Sequence, residues 1–395
     1  MNKEDLSQSD LYARREQTKI KHLILQKYLQ RFAMIIGFKW DTLTYVDCFS
    51  GPWNVQSEDL QDSSFSIALS ELQAARVQHS ARGKSIKLRC LFLEKNPDAY
   101  AMLDEFAHNA SNALVEARNC ELRDAIDYIV TFVRNGGPRS FPFIFIDPTG
   151  WTGFAMDEIA PLLKLDPGEA LINFMTSHIL RFIESPDEVT QESFIKLFGS
   201  ASFKEKLKGL EKKDRVDAAV AEYTENVART GGFKFTSKAI VLHPQFDRPH
   251  FHLIYATRNA KGVEVSKEAE RKAMTEMRQV RAKAHQREQE KKTRQTELFE
   301  PEVLHSTDYL DSLRARYFTK AKGQVRLLLQ GEGRVAYDDA WSLSLKEPLV
   351  WESDLKDWIK DWGKEGLLTI QGLKGKQKVP KFGENHWLIW QGPTV

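Results

Sequence analysis

Three acidic residues close apolar runs in this chain, Asp47, Glu94 and Asp147, and their positions point to one ligand-binding edge. The first run, Leu43 to Val46, passes into Asp47-Cys48-Phe49-Ser50-Gly51-Pro52-Trp53. β-Favouring residues that lead into an acid, small residues and a Gly-Pro turn are how a buried parallel strand ends in a ligand-binding loop. Gly51 has no Cβ, so a cofactor can lie against its backbone, while Asp47 can accept a hydrogen bond from an amine or hydroxyl. Phe49 and Ser50 belong to the same loop and join the cofactor-binding candidates. In Cys90-Leu91-Phe92-Leu93-Glu94 the carboxylate ends a wholly apolar strand, where it can accept from both hydroxyls of a ribose. Asp47 and Glu94 lie one strand-helix-strand unit apart, as a nucleotide-type cofactor requires. Asp124, in a later helix, is placed with this cofactor set. Each acid also has a plainer reading, in which Asp47 or Glu94 merely caps the helix that follows.

The third acid stands in Ile144-Phe145-Ile146-Asp147-Pro148-Thr149-Gly150-Trp151. An acid beside a proline that stops the ladder puts carboxylate and carbonyl oxygens over the edge of the sheet. Amine-directed methyltransferases use such an arrangement: the acid and a backbone carbonyl accept from the attacked amine, whose lone pair then faces a methyl sulfonium. Asp147, Pro148 and Thr149 are the catalytic candidates here, with Trp151 as an aromatic that can stack on a flat substrate. The second proline of those motifs is missing and the aromatic sits one place later, so a tight turn around a buried Trp151 stays open as an alternative. Asn173 sits inside the apolar run Leu171 to Met175, where a polar side chain must find a hydrogen-bond partner, and it is the fifth catalytic candidate. Arg181, one turn beyond, could hold a phosphate, whereas His178 reads as a structural residue.

The elements that must position these residues alternate. Residues 18–36 carry apolar side chains near helical period and form an amphipathic helix. Strand 43–48 precedes helix 64–79, strand 86–94 precedes helix 97–109, and a weak strand near 113–116 precedes helix 121–134. Strand 141–146 precedes helix 155–164, and a fifth strand covers 169–175. Such an alternation predicts a parallel sheet wound on both faces. Residues 187–230 are helical with a break at Phe198-Gly199, and strands 237–243 and 250–257 are joined too closely to be anything but antiparallel. Five parallel strands closed by an antiparallel pair is the order of the Rossmann-like class I methyltransferases, with the last strand inserted beside the fifth.

Residues 265–297 contain no Gly or Pro and carry an excess of Lys and Arg, which predicts a long solvated helix that is either a connector or a phosphate-contacting ridge. At its end Gln295, Leu298 and Phe299 resemble the peptide by which bacterial proteins dock on the DNA sliding clamp. Helices 309–329 and 353–365 followed by strands 367–371 and 386–390 suggest a winged-helix module, with Lys374, Lys376, Lys378 and Lys381 in the loop either placed to meet phosphates at the wing tip or forming a plain solvated hairpin tip. Of Trp341, Trp351, Trp358, Trp362, Trp387 and Trp390, most read as the core of this module and the remainder as a partner surface. The expected domains are therefore an N-terminal helix over 1–42, a Rossmann-like domain over 43–264, a charged helical linker over 265–306 and a winged-helix-like domain over 307–395.

Bulk composition narrows the function classes. With 57 basic and 55 acidic side chains among 395 residues, the net charge of +2 imposes no global field, and any basic surface must be local. Cys48, Cys90 and Cys120 have no paired spacing, which fits a reduced, cytoplasmic setting rather than a zinc knuckle. No apolar h-region and no membrane-spanning run is present in the sequence, so neither secretion nor a membrane location is expected. Carboxylates at metal-ligand spacing are not evident, which leaves a nuclease little support.

Taken together the residues resemble the three-Cys-motif partner proteins, a prokaryotic family with a methyltransferase-like fold. The resemblance rests on Lys21-His22 opening the helix of Ile24-Leu25 and Tyr28-Leu29, Tyr45-Val46-Asp47 with Phe49 and Gly51-Pro52, Phe92 with Glu94, Asp147-Pro148 with Gly150, Asn173-Phe174, and Thr257-Arg258 with Gly262. It implies a partner carrying three clustered cysteines, encoded nearby and radical-SAM-like, and a cofactor fold for S-adenosyl-L-methionine. Trp53 departs from the family by standing where a second glycine is usual, and Ser63-Ser64-Phe65 replaces a more glycine-rich turn. The expected function is S-adenosyl-L-methionine-dependent methyl transfer to nucleic acid in company with that partner. The alternative is a non-catalytic scaffold of the same fold that delivers a partner enzyme to DNA or RNA.

Overall fold

The strands expected from the apolar runs are β1 (Thr42–Asp47), β2 (Lys87–Glu94), β3 (Leu114–Asn119), β4 (Ser140–Ile146), β5 (Glu169–Phe174), β6 (Phe235–Leu242) and β7 (Pro249–Thr257). In the computed structural model, which describes residues 12, 15–51, 60–295, 301, 305 and 308–393, they form one seven-stranded sheet in the order β3-β2-β1-β4-β5-β7-β6. β1 to β5 are parallel and β7 enters antiparallel beside β5, which is the class I methyltransferase order. Trp53, Leu298 and Phe299 lie outside the described residues.

Helices cover both faces, as the two-sided burial of β1, β4 and β5 demands. Successive side chains of a strand point to opposite faces, and the residues sort accordingly. On one face Tyr45, Phe92 and Phe143 meet Tyr28 and Phe32 of α1 (Glu16–Lys39) and Phe65 of α2 (Ser64–Ser80), with Phe106 of α3 (Pro97–Asn109) closing the cluster. On the other face Val46, Leu91 and Ile144 join a core built from α4 (Leu122–Arg134), α5 (Met156–Leu163), α7 (Glu188–Phe198), α8 (Phe203–Leu207) and α9 (Lys212–Gly231). The short α6 (Thr176–Phe182) follows β5, and Gly199 ends α7 with a φ of 70°, a left-handed conformation natural to glycine.

The chain separates into two compact units, residues 1–236 with 240–306, and residues 307–395 with 237–239. Within the first, α10 (Ala260–Thr293) differs from the expected solvated helix. It buries Val263, Ala269, Ala273, Met277, Val280 and Ala284 and packs along α1, with the ion pairs Lys19–Glu276 and Arg287–Glu16 beside the seam. The many charged residues of this helix hid an apolar stripe made largely of alanine, valine and methionine, which average hydrophobicity does not reveal.

The second unit runs α11 (Tyr309–Glu332), β8 (Arg334–Ala336), α12 (Tyr337–Leu345), α13 (Glu352–Lys364), β9 (Leu368–Gln371) and β10 (Trp387–Trp390). Its antiparallel sheet has three strands, in the order β8-β10-β9, rather than the pair expected. β8 is three residues long, too short for periodicity to register. Trp341, Trp358, Trp362 and Trp390 are buried, while Trp351 and Trp387 are half-buried under the guanidinium groups of Arg314 and Arg334 at 4.0 and 4.1 Å.

Candidate functional site

Parallel strands end on one edge, and that edge gathers Asp47, Glu94, Asp147 and Asn173 from β1, β2, the residue after β4, and β5. Asp47 is fully buried. Its Oδ2 accepts from the Ser64 hydroxyl at 2.6 Å and its Oδ1 from the Phe49 N–H at 3.1 Å, so it is held by its own loop and by the start of α2. Helix capping is done by another residue: Ser63 is the N-cap of α2 and accepts from the Ser66 N–H at 3.3 Å. The Ser63-Ser64 pair thus serves both α2 and Asp47. Burial pushes the Asp47 carboxyl up to about 6 despite these hydrogen bonds, and the nearby Asp147 charge pushes in the same direction.

Glu94 is buried and its Oε1 accepts from the Asn96 N–H at 2.6 Å. The cap of α3 is Asn96, whose Oδ1 accepts from Asp98 and Ala99, which again removes the capping role from the acid. Ser50 is buried, its hydroxyl donating to the Asp47 carbonyl and its N–H to that of Leu93 at 2.7 Å, so the β1 loop is clipped to β2. Gly51 and Phe49 are half-buried on this loop. Asp124 is apart from them in exposure: its side chain is 65% exposed and faces Arg123.

Asp147 carries the most telling contacts. Its Oδ2 pairs with the Lys21 ammonium of α1 and its Oδ1 accepts from Asn173 Nδ2 at 2.7 Å. The Lys21 and Asp147 side chains are 12% and 10% exposed, so the pair is largely removed from water. Asn173 is buried, and its own Oδ1 has no hydrogen-bond partner. A buried acceptor without a partner is costly, so this oxygen is open to a further hydrogen bond. Pro148 is buried and Thr149 exposed. The Trp151 ring stacks on Phe194 and lies against Phe182, and its Nε1 donates to Ser193 at 3.0 Å, so it is engaged with α6 and α7.

Lys21 reaches Asp147 because α1 descends across the sheet from this edge. Tyr28, two helical turns on and on the same face, meets the opposite end of β5. There its hydroxyl donates to the fully buried Glu169 and lies 2.6 Å from that of Tyr255, while Thr257 donates to Glu169 at 2.8 Å. Gly262 is needed beside this cluster, since a Cβ would stand 2.1 Å from the Tyr255 hydroxyl and 2.8 Å from Glu169. Arg258 ties down the carbonyls of Leu165, Gly168 and Gly231. The motif residues Tyr28, Thr257, Arg258 and Gly262 therefore fix the amino end of the sheet, and Lys21, Asp47, Asp147 and Asn173 its carboxyl end. Sequence reasoning did not assign Lys21 to the site, although its seven-residue offset from Tyr28 on one helix face was visible. Ser64 was missed because a serine ahead of a helix reads as a cap.

A separate cavity of about 480 Å³ lies between α1 and α2, lined by Lys19, His22, Gln26, Asp62 and Glu71 among others, and none of the four sheet-edge residues borders it. Among the described residues no group of three His, Cys, Asp or Glu is arranged to hold a metal ion, and no helix is long and apolar enough to cross a membrane.

No protein-family model matches the sequence, and no curated protein does. Solved structures give distant matches. Protein LPL1258 from Legionella pneumophila str. Philadelphia 1, of family-model DUF519, is 11% identical over 64% of this chain and 90% of that one, with a TM-score of 0.37. A loganic acid methyltransferase with SAH is 11% identical over 73% of this chain and 92% of that one, with a TM-score of 0.31. The fold assignment rests on the strand order of the sheet itself.

Proposed function

We propose that this chain is an S-adenosyl-L-methionine-dependent methyltransferase-like protein that acts on an exocyclic amine of nucleic acid. The observation that carries the proposal is the pairing of the Lys21 ammonium with Asp147, a carboxylate itself held by Asn173, at the carboxyl edge, one strand away from Asp47. An acceptor amine would use that same carboxylate for one N–H and the carbonyl of Pro148 for the other, so that its lone pair is directed away from both. Bound S-adenosyl-L-methionine supplies an electrophilic methyl on a sulfonium that is its own leaving group. The donor set fits that cofactor, with Asp47 for its amine, Glu94 for the ribose hydroxyls, and the loop of Phe49, Ser50 and Gly51 between them. This chain's residues then contribute by positioning and by excluding water.

The partner suggested by resemblance, a three-Cys-motif protein, belongs to this proposal, as does contact with nucleic acid through the second unit. The second unit's element order, helix-strand-helix-helix-strand-strand, is compatible with a winged helix, and Lys374, Lys376, Lys378 and Lys381 are all exposed between β9 and β10. α13 exposes Asp357 and Asp361 beside Lys360 and Lys364, so positive charge is concentrated on the β9–β10 connection rather than on that helix. Docking on a sliding clamp through Gln295, Leu298 and Phe299 stays a proposal of the sequence.

One observation favours the scaffold reading instead. Both carboxylate oxygens of Asp147 are already engaged, by Lys21 and Asn173, so an acceptor must displace or share one of them. Calorimetry with S-adenosyl-L-methionine and its demethylated product separates the two readings, followed by transfer of labelled methyl to DNA, RNA and tRNA. Binding plus transfer that Asp147→Ala abolishes supports the enzyme; absence of binding at millimolar ligand removes it.

A further inference from the structure

The connection between β6 and β7, His243-Pro244-Gln245-Phe246-Asp247-Arg248, is held more firmly than an exposed hairpin turn requires. Arg281 of α10, whose side chain is 5% exposed, enters beneath it and donates to the carbonyls of His243 and Phe246, the latter at 3.0 Å, and to Asp247 Oδ1 at 2.5 Å. Within the turn His243 Nδ1 accepts from the N–H groups of Gln245 and Phe246 at 3.1 and 3.2 Å, and the His243 N–H donates to the Arg248 carbonyl at 3.0 Å. A buried guanidinium committed to three acceptors of one turn fixes its backbone. At the apex of this fixed turn the Phe246 side chain is bare, 56% exposed. The His243 ring lies 4.6 Å from it and the Arg248 guanidinium 5.6 Å.

This turn stands at the edge that carries Asp147. β7 begins directly after it, with His252 opposite Phe174 and Leu253 opposite Asn173. Phe251 carries the Lys21 ammonium 5.9 Å from its ring, and the His250 ring lies 5.5 Å from that of His243. An exposed aromatic flanked by an imidazole and a guanidinium is a stacking platform for a base with a cation in reach of its phosphate. A peptide site would instead ask for a contiguous apolar patch, and the neighbours Gln245, Asp247 and Arg248 are polar. Asp247 does not oppose a phosphate strongly, because its carboxylate is neutralised by Arg281.

We propose that the β6–β7 connection is a binding lip for single-stranded nucleic acid: Phe246 stacks on an unpaired base flanking the one presented to Asp147, and Arg248 engages the adjoining phosphate. The proposal rests on the reading of the substrate as nucleic acid and adds the element that takes the neighbouring nucleotide. The test is fluorescence anisotropy of the full-length chain with labelled single-stranded RNA, single-stranded DNA and the corresponding duplexes, over a series of salt concentrations. Phe246→Ala should weaken single-strand binding about tenfold and Phe246→Trp should restore it. Arg248→Gln should lower the salt slope by about one. Thermal unfolding reports that these exposed variants keep the fold. Equal binding and equal slope for wild type, F246A and R248Q overturn the proposal, as does preference for duplex or absence of single-strand binding by the wild type. Calorimetry with S-adenosyl-L-methionine keeps the two readings apart. Cofactor binding with an indifferent F246A defeats the lip alone, and Phe246-dependent strand binding without cofactor binding defeats the transferase alone.

Discussion

Replacing Asp47 with asparagine should make this protein more stable and less able to bind the proposed cofactor, S-adenosyl-L-methionine. The carboxyl is fully buried and rises from an ordinary 3.8 to about 6, so the native state holds its proton more tightly than the unfolded chain does. Its contribution to stability is therefore fully present below about pH 4 and is lost as the pH climbs through about 6. At about 1.4 kcal/mol per pH unit, the charged carboxylate costs about 3 kcal/mol near pH 8 and about 1.5 kcal/mol near pH 5. Asparagine removes that cost and keeps one acceptor for Ser64 or Phe49, at the loss of about 1 kcal/mol for the other hydrogen bond. Urea unfolding of Asp47→Asn should give a net gain of about 2 kcal/mol near pH 8 that has nearly vanished near pH 5, while calorimetry shows weakened S-adenosyl-L-methionine binding. A stability difference that does not change with pH would refute the reasoning on burial. Unchanged cofactor affinity would remove Asp47 from the cofactor site.

Lys21→Met strands the Asp147 carboxylate beside Asn173 and should destabilise by about 3 kcal/mol in urea unfolding; Lys21→Arg, which can still pair, should lose less. Gly262→Ala drives a methyl into the Tyr255 hydroxyl and Glu169, and should cost about 1–3 kcal/mol by thermal unfolding, with no change in cofactor affinity because the cluster lies at the far end of the sheet. Tyr28→Phe removes a donor from buried Glu169, whose carboxyl burial already holds above its usual range, and should cost about 2 kcal/mol, more at high pH than at low. The comparison of wild type and Tyr28→Phe across pH by urea unfolding checks that sign.

The acids at the ends of β1, β2 and β4 were legible because each closes an apolar run within a few residues of Pro, Gly or Asn, and local patterns of that kind depend on near neighbours in the chain. Asn173 was legible as a polar residue in an apolar strand, and its bond to Asp147 has the form that expectation takes. The buried stripe of α10 was not legible, since alanines and methionines among many charges define a face only when α1 is laid against them. β8 escaped notice because three residues carry no period.

By itself the sequence determined the alternation of strands and helices, the winding of the sheet on both faces, and the acids set at strand ends. Burial patterns and turn residues act over a few residues, and the handedness of strand-helix-strand connections does the rest. Tertiary structure alone decided which distant groups meet. Lys21 finds Asp147 across 126 residues and Tyr28 finds Tyr255 across 227. Those contacts depend on where α1 lies on the assembled sheet, and both ends of the sheet are held by one helix face because its side chains seven residues apart point the same way.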